Sequence, residues 1–247
     1  DRLFNIVGHL NIGEALIEEA AERLELAELN SRAAEAALNN AAYGATLDYA
    51  RTAIDLLGDD GWQRHYQLML QLHLQTAEAA YLSADYDLSE QTIETILTSA
   101  RSEVDKASAY VIRIESYNTQ YQLQAAVETG LSGWFMLGLT LQQTPPSGLT
   151  PEILRDLPPM SDRRGQAATQ ILAACVHPVY VARPELVPAI VLTTLHLTIS
   201  HGLTPASCPA IVTYATVQVW RDDIEAAYQL GRLGLELMER LDDKRYL

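Results

Sequence analysis

The chain has 247 residues, 48% of them hydrophobic, and a formal net charge of −15 from 32 acidic and 17 basic side chains. That length can bury a full-sized core or a row of stacked units. The acidity excludes the basic face on which nucleic-acid binding depends, and no run of about 18 apolar residues is present to cross a bilayer.

In chain order, apolar residues recur at helical spacing and a period of two is nowhere sustained. The Ala- and Leu-rich composition favours helix because these side chains lose little freedom there. Helices are expected over 24–40 and 45–57. A Gly58-Asp59-Asp60-Gly61 stop follows, in which Asp60 is placed to N-cap the next helix. Further helices are expected over 62–82 and 86–101, split by Ser83-Ala84-Asp85, and then over 103–119 and 121–139. Residues 142–162 hold five prolines and Gly148, which predicts a loop with room for one helical turn. The last helices are expected over 163–181, 184–201, 205–220 and 224–241, with Pro184 and Pro205 in first turns. The domain reading is therefore helical repeats over 1–141, a Pro-rich loop over 142–162, and repeats continuing the array over 163–247.

Small residues recur after similar turns. Ser89, Ile93 and Ile96 follow the turn at 83–85, with Ala77 and Ala80 on the partner helix. Ala33, Ala36, Ala45 and Tyr49 repeat this, as do Ala125, Thr129 and Ser132, and then Gly231 and Gly234. Small residues let two helices cross closely, which is the packing grammar of tetratricopeptide repeats. The spacing is irregular, 44 residues from Ala45 to Ser89 and 36 from Ser89 to Ala125. The expected fold is an all-α, α-α superhelix of TPR-like helical repeats, with about 11–12 helices in antiparallel pairs.

No phosphate-cradling Gly-rich loop, zinc-protease helix or nucleophile elbow is present. The histidines His9, His65, His73, His177, His196 and His201 lack four-residue metal spacing, and Cys175 and His177, two apart on a helix, diverge. Asp222 and Asp223 read as turn and helix-start charges. No catalytic, cofactor-binding or metal residue is expected, and no cofactor. Cys175 and Cys208 lie in apolar stretches without C-x-x-C spacing, as in a reduced, cytoplasmic protein. By helix register, Asn30, Gln71, Glu78, Tyr81, Tyr110, Tyr117 and Asn118 are expected to be exposed along a concave groove. Tyrosines and amides suit peptide recognition. A carboxylate clamp is not expected, because neither lysine, Lys106 or Lys244, is placed to form one; an acidic groove favours a basic or neutral protein or peptide.

The segment 36–62, the turn Leu82-Ser-Ala-Asp-Tyr86, Leu157-Pro158-Pro159-Met160 and DIEAAYQLGRLGLELMERLD from Asp223 to Asp242 resemble one class of large bacterial multi-kinase. In that class a serine/threonine kinase is followed by an AAA-type ATPase, a tetratricopeptide-like helical region, GAF sensor and histidine-kinase modules. The resemblance covers most of the chain and falls within the helical region, so no catalytic residue is carried over. Its implication is a non-catalytic scaffold relaying between the ATPase and downstream sensor and kinase domains, with neighbouring domains of the same polypeptide among its partners. The start at Asp1 and the run 243–247 fit excision from a longer chain. Two other readings stand beside it: a sensor enclosing a small ligand in the superhelix, and an all-α enzyme with an unfamiliar site.

Overall fold

The computed structural model describes residues 2–220 and 222–241. The start at Asp1 and the run 242–247, which includes Lys244, lie outside the described residues. Thirteen α-helices and two short 3-10 turns are formed among the described residues, with a single isolated bridge between Pro159 and Leu203 and no strand. The fold is all-α, with helices packed in pairs as in helical-repeat proteins. The chain divides into two compact units, one ending at Ser116 and the other beginning at Tyr117, a boundary that falls within the seventh helix.

In the first unit, α1 (Arg2–Ile12), α2 (Ala20–Asn39), α3 (Tyr43–Leu57), α4 (Gly61–Arg64), α5 (Tyr66–Leu82), α6 (Tyr86–Ser99) and most of α7 (Glu103–Thr119) follow one another. α2 packs on α3, α3 on α5, and α5 on α6, with α1 against α2. Of the expected small positions Ala33, Ala77 and Ala80 are fully buried, as are Ala27, Ala34, Ala50 and Ala53, whereas Ala36 is half-buried and Ala45 exposed, with Thr46 buried next to it. Ser89 extends this, its hydroxyl donating to the Ala77 carbonyl at 3.0 Å. The expected helix over 62–82 breaks at His65, whose backbone leaves the helical region at φ −127° and ψ 45°. Asp60 precedes the break, but its side chain caps nothing and instead pairs with Arg64 at 2.6 Å. Tyr66 then ties the unit together: its hydroxyl donates to Asp105 at 2.9 Å and accepts from the Arg101 amide at 2.8 Å.

The second unit holds α8 (Leu123–Met136), α9 (Pro151–Asp156), α10 (Arg163–Ala182), α11 (Val187–His201), α12 (Ser207–Trp220) and α13 (Ile224–Leu241). α8 packs on α10, then α10 on α11, α11 on α12, and α12 on α13. α8 starts two residues later than expected, and its buried small residues are Ala126, Gly130 and Gly133, each one position after the expected Ala125, Thr129 and Ser132. Pro184 does open a helical turn, the 3-10 turn Pro184–Leu186, and Pro151 and Pro188 lie in the first turns of α9 and α11, whereas Pro205 precedes α12, which starts at Ser207. Residues 142–162 do contain one short helix, α9, and they belong to this unit. Leu154 and Met160 are buried in it. The sequence sets this segment as a divide between two arrays, whereas the compact units divide at Ser116.

Four turns share one backbone geometry. Ala41, Ala84, Tyr121 and Asp222 have positive φ, between 55° and 64°. In each turn this residue donates to the carbonyl three back, and the next residue donates to the carbonyl five back. All eight bonds measure 2.8–3.1 Å. This left-handed closure satisfies the last carbonyls of the preceding helix. The repeat is therefore written in the turns as well as in the small residues.

Two glycines of α13 separate packing from propensity. A methyl at Gly234 would stand 2.5 Å from Val212 Cγ2 on α12, whereas one at Gly231 meets nothing within 4 Å. Gly234→Ala is expected to lower stability by about 1–3 kcal/mol through overpacking. Gly231→Ala is expected to raise it by about 0.5–1 kcal/mol, because glycine loses more backbone freedom in a helix. Urea titration of the two variants checks the opposite signs.

Candidate interaction groove

α5 buries Leu72, Ala77, Ala79 and Ala80 and turns Gln71 to solvent. Glu78 and Tyr81, three residues apart and so neighbours on the helix surface, are both half-buried. Tyr81 packs against the cluster of Tyr66, Leu70, Ala77, Ile93, Ile96, Ala109 and Ile112. Burial raises the Glu78 carboxyl above its ordinary range, with no hydrogen bond or charge contributing. Burial also raises the Tyr81 phenol, and Glu78, Glu115 and Tyr43 lie close enough to push it further up. Tyr43, at the start of α3, is half-buried. One stretch of the first unit thus combines carboxylates and phenols held partly out of water. Perturbed groups of this kind mark functional sites more often than ordinary surface does.

The other expected groove residues are placed differently. Asn30 is fully buried, which corrects its expected exposure. Its amide exchanges hydrogen bonds with Asn11 at 2.8 and 2.9 Å and donates to the Leu26 carbonyl at 2.9 Å. The reason is α1, a helix the sequence reading does not assign, which packs on α2. Tyr110 is half-buried on α7. Tyr117 and Asn118 are half-buried in the second unit, where the Asn118 amide approaches the Ala174 carbonyl at 3.5 Å.

Sequence reasoning missed Tyr43 and Gln75. Gln75 is 6% exposed; its amide approaches the Ser31 carbonyl at 3.4 Å while its Oε1 has no donor. The signal was its spacing, three residues before Glu78. His73 is structural: its ring lies 4.8 Å from Trp62, Nδ1–H donates to the Met69 carbonyl at 2.8 Å, and burial lowers its pKa.

Among the described residues no three His, Cys, Asp or Glu side chains are grouped to hold a metal. No described helix is long and apolar enough to cross a membrane. Cys175 and Cys208 are buried and form no disulfide. The second unit has an apolar cavity of about 10 Å³ lined by Val127, Trp134, Leu172, Cys175 and Ile190 among others, about the space of one water. A cleft of about 180 Å³ lies between α9 and α13, where Arg155 pairs with Glu236 at 3.2 Å.

Over an alignment of 138 positions that covers 52% of the chain, the sequence is 25% identical to hybrid signal transduction histidine kinase G of Dictyostelium discoideum. The match spans 4% of that protein's length. No family model matches the chain, and no solved structure does. The similarity is thus to a small part of a very long signalling protein. It agrees with the signalling context implied by the resemblance to multi-kinases, although this relative is not bacterial.

The raised Glu78 pKa gives a signed expectation. Its folded-state value lies above the unfolded one, near 4.5. The folded form therefore binds the proton more tightly, and this contribution to stability is lost as pH rises from about 4.5 through the raised value. Glu78→Gln is expected to be more stable than the parent at pH 7, with the difference shrinking toward pH 4. Thermal melts across that range check it.

Proposed function

We propose that the chain is a non-catalytic, cytoplasmic helical-repeat scaffold within a multidomain signalling kinase, relaying between an ATPase and sensor or kinase modules. The observation that carries this reading is the recurring turn geometry, three of whose four turns join helices that pack on each other: α2 with α3, α5 with α6 and α12 with α13. A stacked array in which each unit touches its neighbours can pass a displacement along its length. The similarity to a signalling histidine kinase supplies the context. The groove residues Gln71, Glu78 and Tyr81 offer the partner surface, in keeping with a protein or peptide ligand.

The test is capture of the parent protein's ATPase, GAF and kinase modules, each purified separately, on the immobilised chain. Binding of at least one module, weakened by Tyr81→Ala, supports the reading. Failure of every module to bind, together with unchanged signalling when the segment is deleted from the parent, rules it out.

A further inference from the structure

The left-handed turn residues supply a common register for the helices that follow them. Five residues after Ala41, Ala84, Tyr121 and Asp222 stand Thr46, Ser89, Ala126 and Ala227, and all four are buried. Twelve residues after stand Ala53, Ile96, Gly133 and Gly234, again all buried. This is the face turned to the preceding helix, with Ser89 bonded to Ala77 and Gly234 set beside Val212. A second face, at the ninth and thirteenth positions, meets the helix that opens the next pair. In α3 these are Ala50 and Ile54, packed in one cluster with Met69 and Leu72 of α5. In α6 they are Ile93 and Leu97, clustered with Ala109 and Ile112 of α7. In α8 they are Gly130 and Trp134, which line a cavity with Leu172 and Cys175 of α10.

In α13 the same positions are Gly231 and Leu235. A methyl at Gly231 would meet nothing within 4 Å, and Leu235 is 61% exposed. Ile224 and Tyr228 extend the stripe at helical spacing and are 58% and 60% exposed. The opening continues onto α12. Val212, ten residues before Asp222, is 38% exposed, whereas Ser31, ten before Ala41, is buried and its carbonyl takes the Gln75 amide of α5. The end unit of a helical array carries a polar outer face, which keeps it soluble. α13 carries instead the apolar face of an interior unit.

We propose that this face of α12 and α13 is covered by the first helix of a further helical pair in the same polypeptide. This rests on the reading of the chain as one segment of a longer signalling protein, and it names the contact that continues the array. The helices in the equivalent places define the occupant. From Tyr66 to Leu82, α5 carries one charged side chain, Glu78. In α10 the charged side chains are Arg163 and Arg164, both in the first turn. The occupant is therefore a sparsely charged helix with an apolar stripe. A second copy of the chain fits less well, because its own α5 and α10 are already packed within it.

The experiment compares the 247-residue chain with the parent polypeptide carried on through about 40 more residues, the length of one helical pair. Hydroxyl-radical labelling of Tyr228 and Leu235 is expected to fall several-fold in the longer polypeptide. Leu235→Glu is expected to lower the melting temperature of the longer polypeptide and to leave that of the shorter chain unchanged, since the side chain is exposed there. Gly231→Leu is expected to behave alike by filling the space the incoming helix needs. Equal labelling in the two lengths overturns the proposal, as do equal effects of Leu235→Glu on both. A 247-residue chain that sediments as a dimer, and returns to monomer with Leu235→Glu, overturns it in favour of a second copy. Capture of an ATPase or kinase module by a polypeptide whose Tyr228 stays labelled would leave the scaffold reading standing while the further helix falls.

Discussion

Trp134→Ala is expected to lower the stability of the second unit by about 3–5 kcal/mol, the range for truncating a buried aromatic core residue. Trp134 is 1% exposed and among the largest fully buried side chains. It sits in the apolar lining formed by Val127, Leu131, Leu141, Leu172, Val179 and Ile190. Removing the indole enlarges a cavity that now holds about 10 Å³, and close-packed interiors refill such space incompletely. The indole N–H has no hydrogen-bond partner, so Trp134→Phe gives up ring volume without losing a bond and should cost less than half as much. Denaturant titrations of both variants test this. A cost for Trp134→Ala below about 1 kcal/mol would mean that the site collapses or is wetter than its lining implies.

The order of helices was legible because Ala, Leu and helical periodicity speak through every segment. The bounds of α7 and α13 match expectation to the residue within the described chain. The misses have local causes. α1 was invisible because Arg2–Ile12 has few charges to define an outer face. The break at His65 carries no glycine or proline to announce it. The breaks at 83–85 and at Asp222–Asp223 are legible, but the left-handed residue in each of the four turns is not, because Ala41, Ala84, Tyr121 and Asp222 stand where glycine is the usual marker. Tyr121, expected as the first residue of α8, is a turn residue, and α8 begins at Leu123.

The candidate site was legible in part, for a related reason. Register places Glu78 and Tyr81 on a common side of α5, where both are half-buried. Register alone does not say what covers a face, so Asn30 was misplaced once α1 folded over α2. Tyr43 was missed because its nearness to Tyr81 is tertiary: the two are 38 positions apart in sequence. Glu78→Gln brings the two levels together. If the carboxylate is kept for a partner, its removal raises stability and lowers binding, the trade-off expected where a functional group is held at a stability cost.

The segment joining α9 to α10 gives the second large expected effect, because it is fastened by main-chain bonds to the turn after α11. The Met160 amide donates to the Leu203 carbonyl and the Leu203 amide to the Pro158 carbonyl, both at 2.8 Å. Gly202 makes this approach possible. Its φ is 110° and its ψ −177°, a region closed to side chains. A methyl there would lie 2.5 Å from the Pro158 oxygen and 3.0 Å from the Met160 nitrogen, both of them backbone atoms. Gly202→Ala therefore adds about 1–3 kcal/mol of backbone strain and breaks two hydrogen bonds worth about 1 kcal/mol each. The expected loss is about 3–5 kcal/mol. Gly58→Ala separates the two contributions: its φ is also positive, at 67°, but nothing lies within 4 Å of the added methyl. That variant should show the strain alone, about 1–3 kcal/mol. Hydrogen exchange at the Met160 and Leu203 amides reports the clasp directly. Faster exchange at both in Gly202→Ala, and unchanged exchange in Gly58→Ala, is the expected result. Retention of protection in Gly202→Ala would show that α9 and its ion pair hold the segment without the main-chain bonds.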